Sequence, residues 1–284
     1  MTVILESRLP ALTLVHETAA RLADAAVPSP RVDAELLVAH ALQLSRSDLY
    51  VVDIEPSEGA LRRLRLLVDR RRSREPLAYI LGEWGFRRLS LAVDGRALIP
   101  RPETETVVER CLVHLRDRLR PAVVDVGTGS GAIALAIAAE HPGARVVGVD
   151  SSLAALSLAA ENRARTGLDR RVTLLDGNLL DGAGGPFDLV VSNPPYVSPD
   201  ELDSLQPEIR LYEPREAVIG VGLAERIAAD ARRVLVPGGR LVLECGDGQA
   251  AGLTAELARL GYEDVLATPD LAGRDRVVEG SRPA

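Results

Sequence analysis

The sequence predicts an α/β protein: a mostly parallel, Rossmann-like sheet covered by helices on both faces, with a small all-helical part ahead of it. Two observations carry this. From Pro102 onward, short apolar runs alternate with helical patterns, and the runs stay apolar from residue to residue, as strands buried on both faces do. Before Gly82, apolar residues recur at three-and-four spacing and prolines separate the segments.

Taken in order, Leu12–Ala26 and Val32–Leu42 read as helices divided by Pro28 and Pro30, and Ser57–Ser73 repeats the pattern after Asp53–Pro56. Nothing there looks catalytic; it reads as a small bundle that presents a surface. Around 82–98 the glycines, Trp84, Phe86 and the alternation over Leu89–Val93 suggest a hairpin joining two domains. The expected organisation is a helical domain over 1–81, a hairpin linker over 82–98 and an α/β domain over 99–284. In the last, Ala122–Val126, Arg145–Val149, Val172–Leu175, Phe187–Ser192 and Arg240–Glu244 are the buried strands. Ala132–Ala139, Leu153–Arg165, Leu223–Val234 and Ala250–Leu260 are the helices.

Composition narrows the function classes. With 284 residues, 46% hydrophobic and 26% charged, the chain can bury a substantial core, and no apolar run reaches membrane-spanning length. Met1–Pro10 shows no basic region followed by a hydrophobic stretch, so a cytoplasmic protein is expected. Cys111 and Cys245 lie far apart in apolar segments, and His16, His40, His114 and His141 form no ligand pattern; no metal is expected. A formal charge of −7 argues against a surface that grips nucleic acid as a whole. One local exception is the run of Arg62, Arg63, Arg65, Arg70, Arg71, Arg72 and Arg74, which reads either as a solvated helix face or as a dock for an acidic partner.

The turn after Ala122–Val126 is Gly127-Thr128-Gly129-Ser130-Gly131, following Asp125. Glycines suit a backbone that must turn sharply and approach a ligand closely. The spacing is not the G-x-G-x-x-G that cradles a pyrophosphate, and a bare tight turn could look the same. Asp150 ends the next strand about twenty residues on, where a carboxylate can accept both hydroxyls of a ribose. Together they describe a nucleoside site without provision for phosphate. S-adenosylmethionine fits, and NAD is the competitor.

Directly after Phe187–Ser192 stands Asn193-Pro194-Pro195-Tyr196. Ligands gather at the carboxyl ends of parallel strands, so this tetrapeptide should face the pocket. Paired prolines stiffen the backbone and leave carbonyls that no local amide claims. The Asn193 side-chain oxygen and the Pro194 carbonyl then offer two acceptors to a planar NH₂ group, with Tyr196 as a wall over it. Acceptors so placed stabilise positive charge growing on the nitrogen as a methyl group arrives. Asn193 and Pro194 are the expected catalytic groups, and Asn193 borders the cofactor as well. A rigid turn without function is the plain alternative.

At this point the chain resembles the HemK family of release-factor glutamine methyltransferases. The likeness runs almost end to end, through 33–37 (DAELL), 75–82 (EPLAYILG), 98–105 (LIPRPETE), 212–214 (YEP), 237–239 (PGG) and 270–276 (DLAGRDR). It implies a class I methyltransferase domain that uses S-adenosylmethionine, with a helical domain that helps hold the partner. It also implies a class 1 peptide chain release factor as protein substrate, methylated on the glutamine of a Gly-Gly-Gln loop. Gly127 to Gly131 and Asp150 match the family's cofactor contacts, and Asn193 to Tyr196 its substrate clamp. The family's adenine-contacting Asp has no clear counterpart in 176–179 (DGNL), where Asn178 takes the nearest position and Gly177 is the alternative. Two other readings compete: a methyltransferase acting on an exocyclic amine of nucleic acid, which should show a basic groove and aromatic platforms, and a non-catalytic release-factor-binding module.

Overall fold

The structure is a computed structural model that describes residues 9–284. It contains two compact units: one runs through Gly82 and includes Gln206–Tyr212, and the other comprises Glu83–Leu205 and Glu213–Ala284.

In the first unit, β1 (Leu9–Pro10) pairs antiparallel with β2 (Asp53–Ile54), and α1 (Ala11–Ala23), α2 (Pro30–Leu42), α3 (Glu58–Arg72) and α4 (Leu77–Leu81) enclose a core of Leu22, Leu37, Val38, Leu49, Leu64 and Val68. Pro30 opens α2 at its first turn, where its missing N–H would have had no helical partner. Ser57 caps α3, its hydroxyl accepting the Ala60 N–H at 3.2 Å. Ser57→Ala should cost about 1 kcal/mol, read from the urea midpoint of unfolding.

The arginine run proves to be largely structural. Arg71 is 5% exposed, pairs with Asp33 at 2.7 Å and with Glu208 at 2.8 Å, and donates to the Glu75 carbonyl. Arg74 forks onto both oxygens of Glu208, Arg70 onto both of Glu75, and Arg63 donates to the Ala41 carbonyl. Arg62 and Arg72 meet Glu58 and Asp69. Arg71 and Arg74 thus fasten α8 (Pro207–Tyr212), which carries Glu208, into the first unit, and Tyr212 adds a bond to the Ser73 carbonyl. Four of the run's arginines, Arg62, Arg70, Arg71 and Arg74, face the carboxylates of Glu58, Glu75, Asp33 and Glu208, and Arg72 lies near Asp69.

The second unit begins with an antiparallel hairpin of β3 (Glu83–Phe86) and β4 (Leu89–Ala92), which belongs to this unit and is not a free-standing linker. After α5 (Thr104–Leu115) come β5 (Ala122–Val126), α6 (Ala132–Glu140), β6 (Arg145–Asp150), α7 (Leu153–Thr166), β7 (Val172–Asp176) and β8 (Phe187–Ser192). Then α9 (Arg215–Val218), α10 (Leu223–Val234), β9 (Leu235–Glu244), α11 (Ala250–Arg259), β10 (Glu263–Pro269) and β11 (Asp275–Ser281) complete the unit. One seven-stranded sheet has the order β10-β11-β9-β8-β5-β6-β7. The strands β7, β6, β5, β8 and β9 run parallel; β11 is antiparallel to both of its neighbours, β9 and β10, so β10 again runs with the parallel five. Both faces are covered, which explains the unbroken apolar runs. Val123, Leu189, Val191, Val242 and Val277 pack with α5 and α6, while their neighbours Val124, Val190, Leu241, Leu243 and Val278 pack with α10 and α11.

Chain order reverses between β5 and β8, which lie side by side in the middle of the sheet. This is the switch point at which open α/β sheets bind ligands. The glycine turn leaves β5 there, and Asn193 leaves β8.

The two C-terminal strands have no clear sequence signal, and β11 shows why. Glu279 sits in it with no exposure, answered from α5 by Arg110 (2.6 and 2.9 Å) and His114 (2.9 Å). Burial alone would push this carboxyl up, but Arg110 and His114 hold it down at about 2. A paired acid inside a strand breaks the apolar pattern without being at the surface.

Candidate active site

One cavity gathers most of the residues picked out in the sequence. Gly127, Thr128, Gly129, Ser130, Asp150, Asn178, Asn193, Pro194 and Pro195 all line it. Two others do not. Gly131 opens α6 at φ +84°, and an added Cβ would stand 3.1 Å from Leu135 Cδ1 and 3.4 Å from Ala159 Cβ, so its smallness serves helix packing. Tyr196 lines an adjoining cavity with Glu201, Glu225 and Gln249, its ring against the Gly246 backbone, so the expected wall over the NH₂ group is not seen in this arrangement.

The loop is held from several sides. Gly127 and Gly129 have φ of +70° and +56°, and nothing lies within 4 Å of where a Gly127 Cβ would stand. The Gly127 and Thr128 amides both donate to the Val149 carbonyl, at 2.8 and 2.9 Å. Asn162, fully buried on α7, donates to the carbonyls of Ser130 and Ala92 and accepts the Ala92 N–H, tying loop, helix and hairpin together. Beneath the loop, Asp125 accepts the Thr128 hydroxyl (2.6 Å) and the Ala134 amide (3.1 Å) on one oxygen, and its other oxygen has no partner. Burial pushes that carboxyl up to about 7.

Asp150 is partly buried at the end of β6 and accepts the Gly129 amide on Oδ2 (2.8 Å) and the Ser152 amide on Oδ1 (2.9 Å). These bonds fix the carboxylate and leave lone pairs on both oxygens, as a pair of ribose hydroxyls would require. Gly177 and Asn178 both border the cavity, and the Asn178 side chain makes no hydrogen bond among the described residues. The cavity's two arginines are engaged: Arg96 with Asp94 and Glu161, Arg101 with Glu213. No free cation is therefore aimed at a phosphate, and the site suits a nucleoside carrying an amino-acid tail better than a dinucleotide. Among the described residues, no group of three His, Cys, Asp or Glu side chains could hold a metal ion.

On the other side of the cavity Ser192 anchors the end of β8 by donating to the Val126 carbonyl at 2.7 Å. Asn193 Nδ2 donates to Thr104 Oγ1 at 3.2 Å. Among the described residues, neither Asn193 Oδ1 nor the Pro194 carbonyl accepts a hydrogen bond, so two acceptors stand free at the end of β8. The chain beyond is pinned: Val197 bridges in parallel to Ile219, and a Cβ on Gly220 would stand 2.7 Å from the Pro195 carbonyl. Glycine is needed at 220 because the backbone passes so close.

Segment 98–105, singled out only through the resemblance, supplies partners to which the residue pattern assigned no role. Thr104 lines the cavity and donates to Glu244 Oε2 at 2.7 Å. Burial pushes Glu244 up to about 7. Arg101 lines the cavity too and pairs at 2.5 Å with Glu213, an acid whose carboxyl burial raises. That pair joins two segments of the resemblance, 98–105 and 212–214, which are far apart in the chain.

Sheet order, glycine turn, strand-ending carboxylate and paired acceptors together define a class I S-adenosylmethionine-dependent methyltransferase. Residues 13–82 match the PrmC N-terminal domain family and residues 108–208 the methyltransferase small domain family. The chain belongs to the release factor glutamine methyltransferases: it is 42% identical to the Deinococcus radiodurans member over 95% of this chain and 97% of that one. It is likewise 40% identical to the Caulobacter vibrioides member over 95% of this chain and 96% of that one. A solved methyltransferase from Pyrococcus furiosus shares the fold, at 19% identity and a TM-score of 0.51, with 79% of this chain and 100% of that chain covered.

Proposed function

We propose that this chain transfers the methyl group of S-adenosylmethionine to the side-chain amide nitrogen of the glutamine in the Gly-Gly-Gln motif of class 1 peptide chain release factors, in the cytoplasm. The observation that carries the reading is the pair of free acceptors, Asn193 Oδ1 and the Pro194 carbonyl, at the switch point of a class I sheet. Bound S-adenosylmethionine supplies an electrophilic methyl carbon on a sulfonium.

Gly127 to Ser130 would receive its amino-acid portion against bare backbone, Asp150 its ribose hydroxyls and Asn178 its adenine edge. A carboxamide nitrogen is a poor nucleophile, since its lone pair is delocalised into the carbonyl. Asn193 and Pro194 answer this by holding both N–H bonds, so that the nitrogen's face is turned towards the methyl carbon. Their oxygens attract the positive charge that grows on nitrogen more strongly than the neutral ground state. The methylated nitrogen is then acidic enough to release its proton without a dedicated base.

Two acceptors would suit the exocyclic amine of a nucleobase equally well. Against that reading stand the net charge of −7 and the pairing of the arginine run with Asp33, Asp69, Glu58, Glu75 and Glu208. The test incubates the purified chain with S-adenosylmethionine and a release factor, and with DNA and RNA in parallel. Mass spectrometry is expected to find a 14 Da gain, the mass of one CH₂, on the Gly-Gly-Gln peptide. Methyl label confined to nucleic acid would overturn the proposal.

A further inference from the structure

Asn193 can serve a substrate NH₂ only if its own oxygen, and not its own NH₂, faces that group. The two ends of a carboxamide have nearly the same shape, so packing alone does not choose between them; hydrogen bonding must. Behind Asn193 the choice is made by two residues. Thr104, the first residue of α5 and 4% exposed, accepts from Asn193 Nδ2 at 3.2 Å and donates to Glu244 Oε2 at 2.7 Å. Glu244, the last residue of β9, is 1% exposed.

Burial raises the Glu244 carboxyl to about 7, and whenever it is ionised, as it is above that pH, the direction of this chain is set from its far end. An ionised carboxylate can only accept, so the Thr104 hydroxyl gives it its single proton. Only lone pairs of Thr104 Oγ1 then remain to face Asn193, and only the NH₂ end satisfies them. A flipped Asn193 would set oxygen against oxygen and turn a donor towards the substrate's own donors, losing bonds on both sides.

We propose that Glu244 and Thr104 are positioning residues that lock the Asn193 carboxamide with Oδ1 presented to the substrate nitrogen. The inference deepens the proposed function and rests on it. It also accounts for a feature that folding alone disfavours: a carboxyl that burial raises, with Glu103 adding to the shift and the Thr104 hydrogen bond, Arg276 and Arg101 partly offsetting it. An apolar side chain at the end of β9 would avoid that cost. Glu244 touches no reacting atom in this scheme and acts through Thr104 and Asn193.

The experiment uses the full chain with release factor and labelled S-adenosylmethionine. Thr104→Val keeps the shape and removes the hydroxyl; kcat should fall ~10–100-fold, the scale of a lost, charge-polarised hydrogen bond in a transition state. KM for release factor and Kd for S-adenosylmethionine should stay within about threefold, because the relay sets orientation and not uniform binding. Thr104→Ser, which restores the hydroxyl, should return kcat to within about threefold of the unsubstituted protein. Thr104→Val added to Asn193→Ala should cost almost nothing further, since the two act as one unit.

Unchanged kcat in Thr104→Val, or full additivity in the double variant, would overturn the relay. A second readout needs no substrate. In ¹⁵N-labelled protein the Asn193 side-chain NH₂ resonance, assigned by its loss in Asn193→Ala, should lose exchange protection in Thr104→Val and regain it in Thr104→Ser. An unaltered resonance would refute the relay whatever the methyl acceptor is. Inactivity of the unsubstituted protein towards release factor would instead strike the proposed function and leave the resonance to decide the relay.

Discussion

Asn193→Ala is expected to bind S-adenosylmethionine within a few-fold of the unsubstituted affinity yet lose ~10²–10³-fold in turnover, the range seen when one preorganised polar group is taken from a transition state. The separation follows from where its contacts lie. The loop is shaped by Val149, Asn162 and Asp150, none of which leans on Asn193. Substrate nitrogen, by contrast, would lose one of two acceptors, and the surviving Pro194 carbonyl cannot fix the nitrogen's face alone. Isothermal titration with S-adenosylmethionine and single-turnover methylation measure the two halves separately. Turnover equal to that of the unsubstituted protein would remove the clamp mechanism, and lost binding with normal single-turnover rates would make Asn193 a cofactor residue first.

Much of this site was legible because its parts are contiguous. A glycine turn, a strand-ending acid and a proline-stiffened tetrapeptide each occupy a few neighbouring positions, and the βαβ order brings them to one place. What supports them was not legible. Thr104 and Glu244 meet across 140 positions; the resemblance marks the segment of Thr104, at a helix start, but nothing in the sequence pairs it with Glu244 at a strand end. Asn162 reads as a polar residue on a helix, although it is fully buried and satisfied by three bonds to backbone.

The arginine run misled in the same way. Its charge is apparent in sequence, but its partners Asp33 and Glu208 lie 38 and more than 130 positions away. Charge read along a chain cannot show what neutralises it across the fold. Tyr196 lies away from the main cavity for a different reason. A tetrapeptide that turns sharply at two prolines sends its fourth side chain to another wall, here the adjoining cavity with Gln249, whose amide donates to the Tyr196 carbonyl at 3.0 Å.

Asp150→Asn is expected to weaken S-adenosylmethionine ~30–100-fold while leaving turnover at saturating cofactor within a few-fold. The carboxylate already accepts one backbone N–H on each oxygen, from Gly129 and Ser152, and would accept one ribose hydroxyl on each as well. Asparagine keeps the shape but turns one acceptor into a donor, so a hydroxyl bond is lost and a backbone amide is left facing an NH₂ group. Hydrogen bonds to a charged acceptor contribute roughly 1.5–3 kcal/mol each, which sets the expected loss in affinity. The loop should survive, since the Gly127 and Thr128 amides still reach the Val149 carbonyl and Ser130 still accepts from Asn162. S-adenosylhomocysteine, which carries the same ribose but no sulfonium, should weaken by the same factor. Equal weakening of both ligands locates the lost contact at the ribose; a loss confined to the sulfonium form would mean that Asp150 acts through charge at a distance, and unchanged affinity for both would place the hydroxyls elsewhere.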